Sequence, residues 1–220
     1  MKTKITTILF DDGLGIRWIP SLRATIASAF MEKSIYHNHT AEKIIYRYPP
    51  IQYKEICGKA AVVGIGEGAE SLENDFHYSD TISLSIDGKE KSLTVVEMST
   101  YEYTPESFSD LHQEYIIKNW LPFNQENFAR YLNATTLVEK VSLLEKVLSA
   151  NILSLFTGFG YYSENKSDAS ILDIMDSRYL MYKGVKMASF DVKIKCNATL
   201  PQYCGIGKGV SRGFGTVYRV

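Results

Sequence analysis

The sequence predicts an α+β protein made of two tandem ferredoxin-like (βαββαβ) domains, over residues 1–100 and 101–220. Three observations lead there. Cys57-Gly58, Asp87-Gly88 and Lys183-Gly184 each separate two runs of strand-forming residues, as hairpin turns do. A helical stripe follows an alternating N-terminal run, and a longer one (Leu137, Val141, Leu144, Leu148, Ile152, Leu155) precedes the last hairpin. Each half then reads strand, helix, hairpin, helix or loop, strand, which is the split βαβ order. The composition agrees: 45% apolar and 22% charged residues over 220 positions describe an ordinary globular chain.

In chain order, residues 2–10 alternate Ile5, Ile8 and Phe10 with polar residues and predict a strand, broken at Asp11-Asp12-Gly13. Pro20 and Ser21 open a helix whose stripe is Leu22, Ile26, Ala29 and Phe30, ending near Ser34. Residues 43–56 read as extended, with a return strand over 59–65 after Cys57-Gly58. Gly64, Gly66 and Gly68 lack both the P-loop ending and the dinucleotide spacing, so they predict a turn into a short helix near 69–75. Strands over 81–86 and 92–98 flank Asp87-Gly88. Residues 113–132, with Tyr115, Trp120, Phe123, Phe128 and Tyr131 scattered among polar residues, predict short helices. Thr135 or Thr136 caps a helix over 136–156, with Glu139 three residues beyond Thr136 as in a capping box, and Gly158 stops it. A hairpin over 171–182 and 185–199 and a last strand over 216–220 complete the chain.

No apolar run approaches the roughly 18 residues of a membrane span, and the apolar part of the N-terminus is too short for a signal peptide. The expectation is a cytoplasmic protein with no membrane association. Cys57, Cys196 and Cys204 are an odd number without metal-ligand spacing, which fits a reducing compartment and gives no metal site. No cofactor motif stands out. The formal net charge is −1, so any polyanion site rests on local charge and not on the whole.

That local excess lies at the C-terminus. Residues 192–220 contain Lys193, Lys195, Lys208, Arg212 and Arg219 and no Asp or Glu. Within them, Gly205, Gly207, Gly209, Gly213 and Gly215 surround Lys208, Ser211 and Arg212. Glycine lets backbone N–H groups approach a ligand, and successive N–H groups can form an anion nest.

The candidate chemistry lies elsewhere, in Ser34-Ile35-Tyr36-His37-Asn38-His39-Thr40. In an extended segment His37 and His39 project to one side and reach one reacting group. Imidazole gives and takes protons near neutrality, so the pair could serve as general base and acid around a phosphate. A His-x-His in a polar loop also serves as a solvated pair or as metal ligands, and spacing leaves those readings open. Lys33, Lys43, Arg47 and Lys54 flank the pair, with Glu42 the lone acid between Lys33 and Lys54. Tyr46 and Tyr48 can hydrogen-bond a phosphate oxygen, stack on a base, or simply pack in a sheet. His77 and His112 stand alone and read as structural or solvated.

A histidine segment after the first helix of one half, and the loop Gly205-Ile206-Gly207-Lys208-Gly209-Val210-Ser211-Arg212-Gly213-Phe214-Gly215 before the last strand of the other, together resemble the CRISPR repeat-processing endoribonucleases. Tyr46-Arg47-Tyr48-Pro49-Pro50-Ile51-Gln52-Tyr53-Lys54 is similar to that family's second strand. The resemblance covers nearly the whole chain and makes the two domains RRM-like. It implies a metal-independent, cofactor-free endoribonuclease for CRISPR repeat RNA, in which the 2′-OH beside the scissile phosphate attacks it and leaves a 2′,3′-cyclic phosphate and a 5′-OH. It implies His37 and His39 as the catalytic pair with Tyr46 as third member. Tyr48, Lys54, Lys193, Lys195, Lys208, Ser211 and Arg212 would then bind RNA, with other CRISPR-associated proteins as further partners. A non-catalytic RNA-binding subunit of such a complex is the alternative from another functional class. A two-histidine phosphoesterase is disfavoured, because it needs two separated His-x-Thr/Ser motifs and neither His37 nor His112 begins one.

Overall fold

The computed structural model describes residues 2–37, 48–108, 112–162 and 167–220. The chain divides into two compact units. One is Lys2–Tyr103 with Ser211–Gly213, and the other is Thr104–Val210 with Phe214–Val220.

The N-terminal unit contains β1 (Thr3–Phe10), α1 (Ile19–Ala29), β2 (Ile51–Ile56), β3 (Lys59–Ile65), α2 (Glu67–Asp75), β4 (Thr81–Ile86) and β5 (Lys89–Tyr103). Its antiparallel sheet has the order β2-β3-β1-β5-β4. With β4 set aside as an added edge hairpin, this is the ferredoxin-like arrangement. One face buries Ile8, Phe10, Tyr53, Val62, Leu93 and Val95 against Leu22 and Ile26 of α1 and Leu72 of α2. The core forms there because the alternation of each strand puts its apolar set on that face.

The C-terminal unit contains β6 (Gln113–Trp120), α3 (Gln125–Asn133), α4 (Leu137–Gly158), β7 (Ala169–Tyr182), β8 (Val185–Cys196) and β9 (Thr216–Arg219). The sheet order β7-β8-β6-β9 repeats the first, with the Gly-rich segment standing where a second helix would lie. The protein is therefore α+β with two tandem ferredoxin-like domains. The capping box forms as expected: Thr136 Oγ1 accepts from Glu139 N at 3.2 Å, and Glu139 Oε2 accepts from Thr136 N at 3.0 Å. By length and composition α4 is apolar enough to cross a membrane, but its Leu144, Leu148, Ile152 and Leu155 are buried within the unit and it packs on β7.

Three elements depart from the sequence reading. Residues 113–120 form a strand, not a short helix. Tyr115 and Ile117 alternate inward, and β6 is the central strand between β8 and β9. A bulge at Asn119 (φ 53) then turns Trp120 inward, out of the simple alternation. The first helix ends at Ala29, five residues before Ser34, because Phe30 leaves the helix and stacks on Tyr36 of a following 3-10 turn, Ser34–Tyr36. Residues 48–50 stand outside the second strand, which begins at Ile51 after Pro49 and Pro50, residues with no N–H to give a ladder, and residues 43–47 of the extended reading lie outside the described residues. All three hairpin turns carry the two positive φ values of the tight type: 50 and 78 at Cys57-Gly58, 50 and 75 at Asp87-Gly88, 51 and 77 at Lys183-Gly184.

Candidate functional site

Tyr36 and His37 are held by both helices of the N-terminal unit. The Tyr36 ring is buried and stacks on Phe30 at 4.9 Å between centroids. Its hydroxyl donates to Asp75 Oδ2, at the end of α2, at 2.9 Å. Lys33 pairs with the other oxygen of the same carboxylate. Burial first, and then the Asp75 carboxylate, push the Tyr36 phenol well above its usual range, so it stays a neutral donor. From α1, Arg23 Nη2 donates to the carbonyl oxygen of His37 at 3.1 Å.

His37 itself is half-buried and closes the 3-10 turn with φ −101 and ψ −24. Its backbone is thus helical, and the extended geometry that would place His37 and His39 on one side is not present at His37. His39 and Tyr46 lie outside the described residues. Tyr48 is half-buried just ahead of Pro49.

Lys54 is wholly buried in β2. Its ammonium is therefore not on the surface where an RNA contact would need it, a correction to the sequence reading. The reason is its strand: both faces of β2 are buried, with Ile51 and Tyr53 on one side and Gln52 and Lys54 on the other. Tyr53 bridges Arg212 in parallel fashion within the same unit. Burial drives the Tyr53 phenol up, while the Arg23 charge pulls it back. Arg23, Tyr53 and Asp75 thus act on Tyr36 and His37, and none was singled out from the sequence. They lie far apart in the sequence, and only the fold gathers them.

The Gly-rich segment is built differently from an open anion nest. Ile206 N donates to Gly215 O at 2.9 Å, Lys208 N to Leu121 O at 3.1 Å and Gly215 N to Asn119 O at 3.0 Å. Those amides are committed to protein carbonyls. The glycines serve close packing: a Cβ on Gly215 would stand 1.8 Å from Ile206 O. The side chains carry what charge the segment offers. Lys208 is exposed, while Ser211 and Arg212 are half-buried. On β8, Lys193 pairs with Glu114 at 2.7 Å and Lys195 is exposed, both pointing away from the buried face of Val192, Ile194 and Cys196. Cys196 and Cys204 are buried free thiols, with burial pushing Cys196 up to about 11.

Comparison with known proteins agrees across both halves. Residues 1–104 match the family model of the Cas6b N-terminal domain, and residues 107–220 that of the Cas6b C-terminal domain. A crystal structure of Cas6b is 29% identical with a TM-score of 0.89, and one of the CRISPR RNA processing endoribonuclease Cas6b is 26% identical with a TM-score of 0.74; both alignments cover all of both chains. Csf5, a CRISPR-Cas type IV Cas6 crRNA endonuclease, shares the fold at 12% identity and a TM-score of 0.61, again over both full chains. An uncharacterized protein of Methanocaldococcus jannaschii is 38% identical over 104 residues, 47% of this chain and 69% of that one. With family models matching both domains in order, the chain belongs to the Cas6b family.

Proposed function

We propose that this protein is an endoribonuclease that cuts CRISPR repeat precursor RNA into guide RNAs. The observation that carries the reading is the match of both domains to the Cas6b family, with a relative named as a CRISPR RNA processing endoribonuclease alignable over the full chain. In the proposed reaction one histidine of the His37/His39 pair takes the proton of the 2′-OH next to the scissile phosphate. The resulting oxygen attacks phosphorus, and the bond to the 5′-oxygen breaks. The second group returns a proton to that oxygen, leaving a 2′,3′-cyclic phosphate and a 5′-OH. Tyr46 is the third member, as a hydrogen-bond donor to a phosphate oxygen. The carboxylate-anchored Tyr36 and the Arg23 contact support His37 in this role, because a proton-transfer group must be held in place to act. Lys195, Lys208, Ser211 and Arg212 are proposed to bind the RNA backbone, with Lys193 and Tyr48 as further contacts.

The test is incubation of the protein with an RNA carrying one repeat, in EDTA. Cleavage with a 2′,3′-cyclic phosphate product, blocked by a single 2′-deoxy substitution at the cut site, is the expected result. Cleavage that stops in EDTA would refute the metal-independent route. Tight binding with the RNA left intact would replace the reading by that of a binding subunit.

A further inference from the structure

Two adjoining cavities lie within the C-terminal unit. One, of about 320 Å³, is lined by Arg130, Lys146 and Lys208 with Asn124, Asn127 and Asn151, and no carboxylate lines it. The other, of about 240 Å³, has an apolar wall of Phe128, Tyr182, Val185 and Met187, with Lys186 and Lys208 also lining it. It too is free of carboxylates. Asn124 and Lys208 line both cavities.

The glycines on either side of Lys208 account for this shared wall. A Cβ on Gly207 would lie 2.8 Å from Trp120 Nε1 and 3.0 Å from Asn151 Oδ1. A Cβ on Gly209 would lie 2.8 Å from Tyr182 Cε2. Both have positive φ, 85 and 70. The backbone is thus pressed against the polar cavity on one side of Lys208 and against the aromatic cavity on the other. The Lys208 amide is tied to Leu121 O, and its side chain stands exposed between the two. In the polar cavity, Trp120 Nε1 donates to Asn151 Oδ1 at 3.0 Å, and Asn127 N donates to Asn124 Oδ1 at 2.8 Å. Both amide oxygens are engaged, which leaves N–H donors for a ligand, as an anion requires. Lys186, which lines the aromatic cavity, sits 4.8 Å over the Tyr179 ring beside it. That cavity is smaller than the roughly 300–1,000 Å³ of drug-sized ligand pockets and suits one flat base.

We infer that the two cavities bind a single unpaired nucleotide of the RNA, with its base in the aromatic cavity and its phosphate in the cationic one, divided by Lys208. This rests on the RNA-processing reading and adds to it a point of recognition on the α3–α4 and β7–β8 side of the C-terminal unit. Stacking on an aromatic wall with a cation at the backbone is how single-stranded bases are held.

The experiment is an abasic scan. Wild-type protein is titrated with RNA carrying one repeat, intact and with each base removed in turn. One abasic position is expected to weaken binding roughly 5- to 150-fold, the effect of one lost stack. Val185→Glu, at an exposed hairpin position, should weaken binding of intact RNA and erase the difference at that position. Arg130→Ala/Lys146→Ala, also at exposed positions, should lower the slope of log affinity against log salt by roughly 1.4, about 0.7 for each lost contact to a single strand. Unchanged melting temperatures would show that the variants fold. A flat scan, or an unchanged salt slope, overturns the nucleotide pocket while intact RNA is still cut. Failure of intact RNA to bind at all overturns both readings.

Discussion

Arg23, in the middle of α1, donates a hydrogen bond to the backbone oxygen of His37 at 3.1 Å. The contact spans the turn between the first helix and the histidine segment, and it fixes the backbone of His37. On the proposed reading of His37, Arg23 is a positioning residue. Arg23→Ala is expected to lower single-turnover cleavage by roughly 10- to 100-fold, since misplacement of about 1 Å can cost that much. RNA affinity should change little, and Arg23→Lys should recover part of the loss. Equal cleavage by wild type and Arg23→Ala would remove it from this role.

His37→Ala should reduce cleavage by about 10²–10⁴-fold, the contribution of one general acid or base. His37→Ala/His39→Ala should be little worse than the poorer single variant, because groups acting as one unit are not additive. Wild-type cleavage by the double variant would sink the assignment. Single-turnover rates with enzyme in excess are the measurement.

Lys208→Ala and Arg212→Ala should raise the dissociation constant for repeat RNA and leave the saturated cleavage rate close to wild type. The two quantities come from one titration of cleavage rate against protein concentration. A loss confined to the saturated rate would reverse this division of labour.

Gly215→Ala should destabilise the protein severely. Its φ is 65, and the new methyl would stand 1.8 Å from the Ile206 carbonyl oxygen, which the backbone cannot vacate without breaking the Ile206–Gly215 pairing. A melting temperature within a few degrees of wild type would contradict this.

Glu73 of α2 collects hydrogen bonds from Lys4 at 3.0 Å, Thr100 at 2.8 Å and Thr6 at 3.0 Å. Lys4 foremost, and then Thr100, hold its carboxyl below the usual 4.5. The ionised form is the one the fold favours. Its stabilisation is complete above about pH 4.5 and is lost as pH falls through the lowered folded value. Glu73→Gln should therefore lose stability near neutrality and depend less on pH below about 4.5 than wild type. Urea denaturation across that range tests it.

Much of the architecture was legible because it rests on local chemistry. The Thr136–Glu139 capping box, the Cys57-Gly58, Asp87-Gly88 and Lys183-Gly184 turns and the strand over Lys59–Ile65 are set by residues within a few positions of one another. Residues 113–120 were misread because the cue for β6 is its pairing with β8 and β9, far along the chain, and because Asn119 breaks the alternation before Trp120. Phe30 fits the stripe of the first helix, yet it leaves that helix to stack on Tyr36.

The candidate site divides in the same way. His37 could be singled out from its neighbours, since an imidazole in a basic, tyrosine-rich stretch carries its chemistry with it. Arg23 and Asp75 could not, because what matters is their distance from His37 and Tyr36 after α1 and α2 have packed on one face of the sheet. Lys54 shows the opposite failure: its charge suggested a surface contact, and its strand carried it into the interior. The glycines around Lys208 were plain in the sequence as a loop, but their work was not. Whether a missing side chain frees an amide for a ligand or lets two walls meet depends on what lies opposite. Opposite Gly207 and Gly209 lie Trp120 and Tyr182, partners that only long-range packing brings there, and opposite Gly215 lies the carbonyl of Ile206, across the loop's own fold.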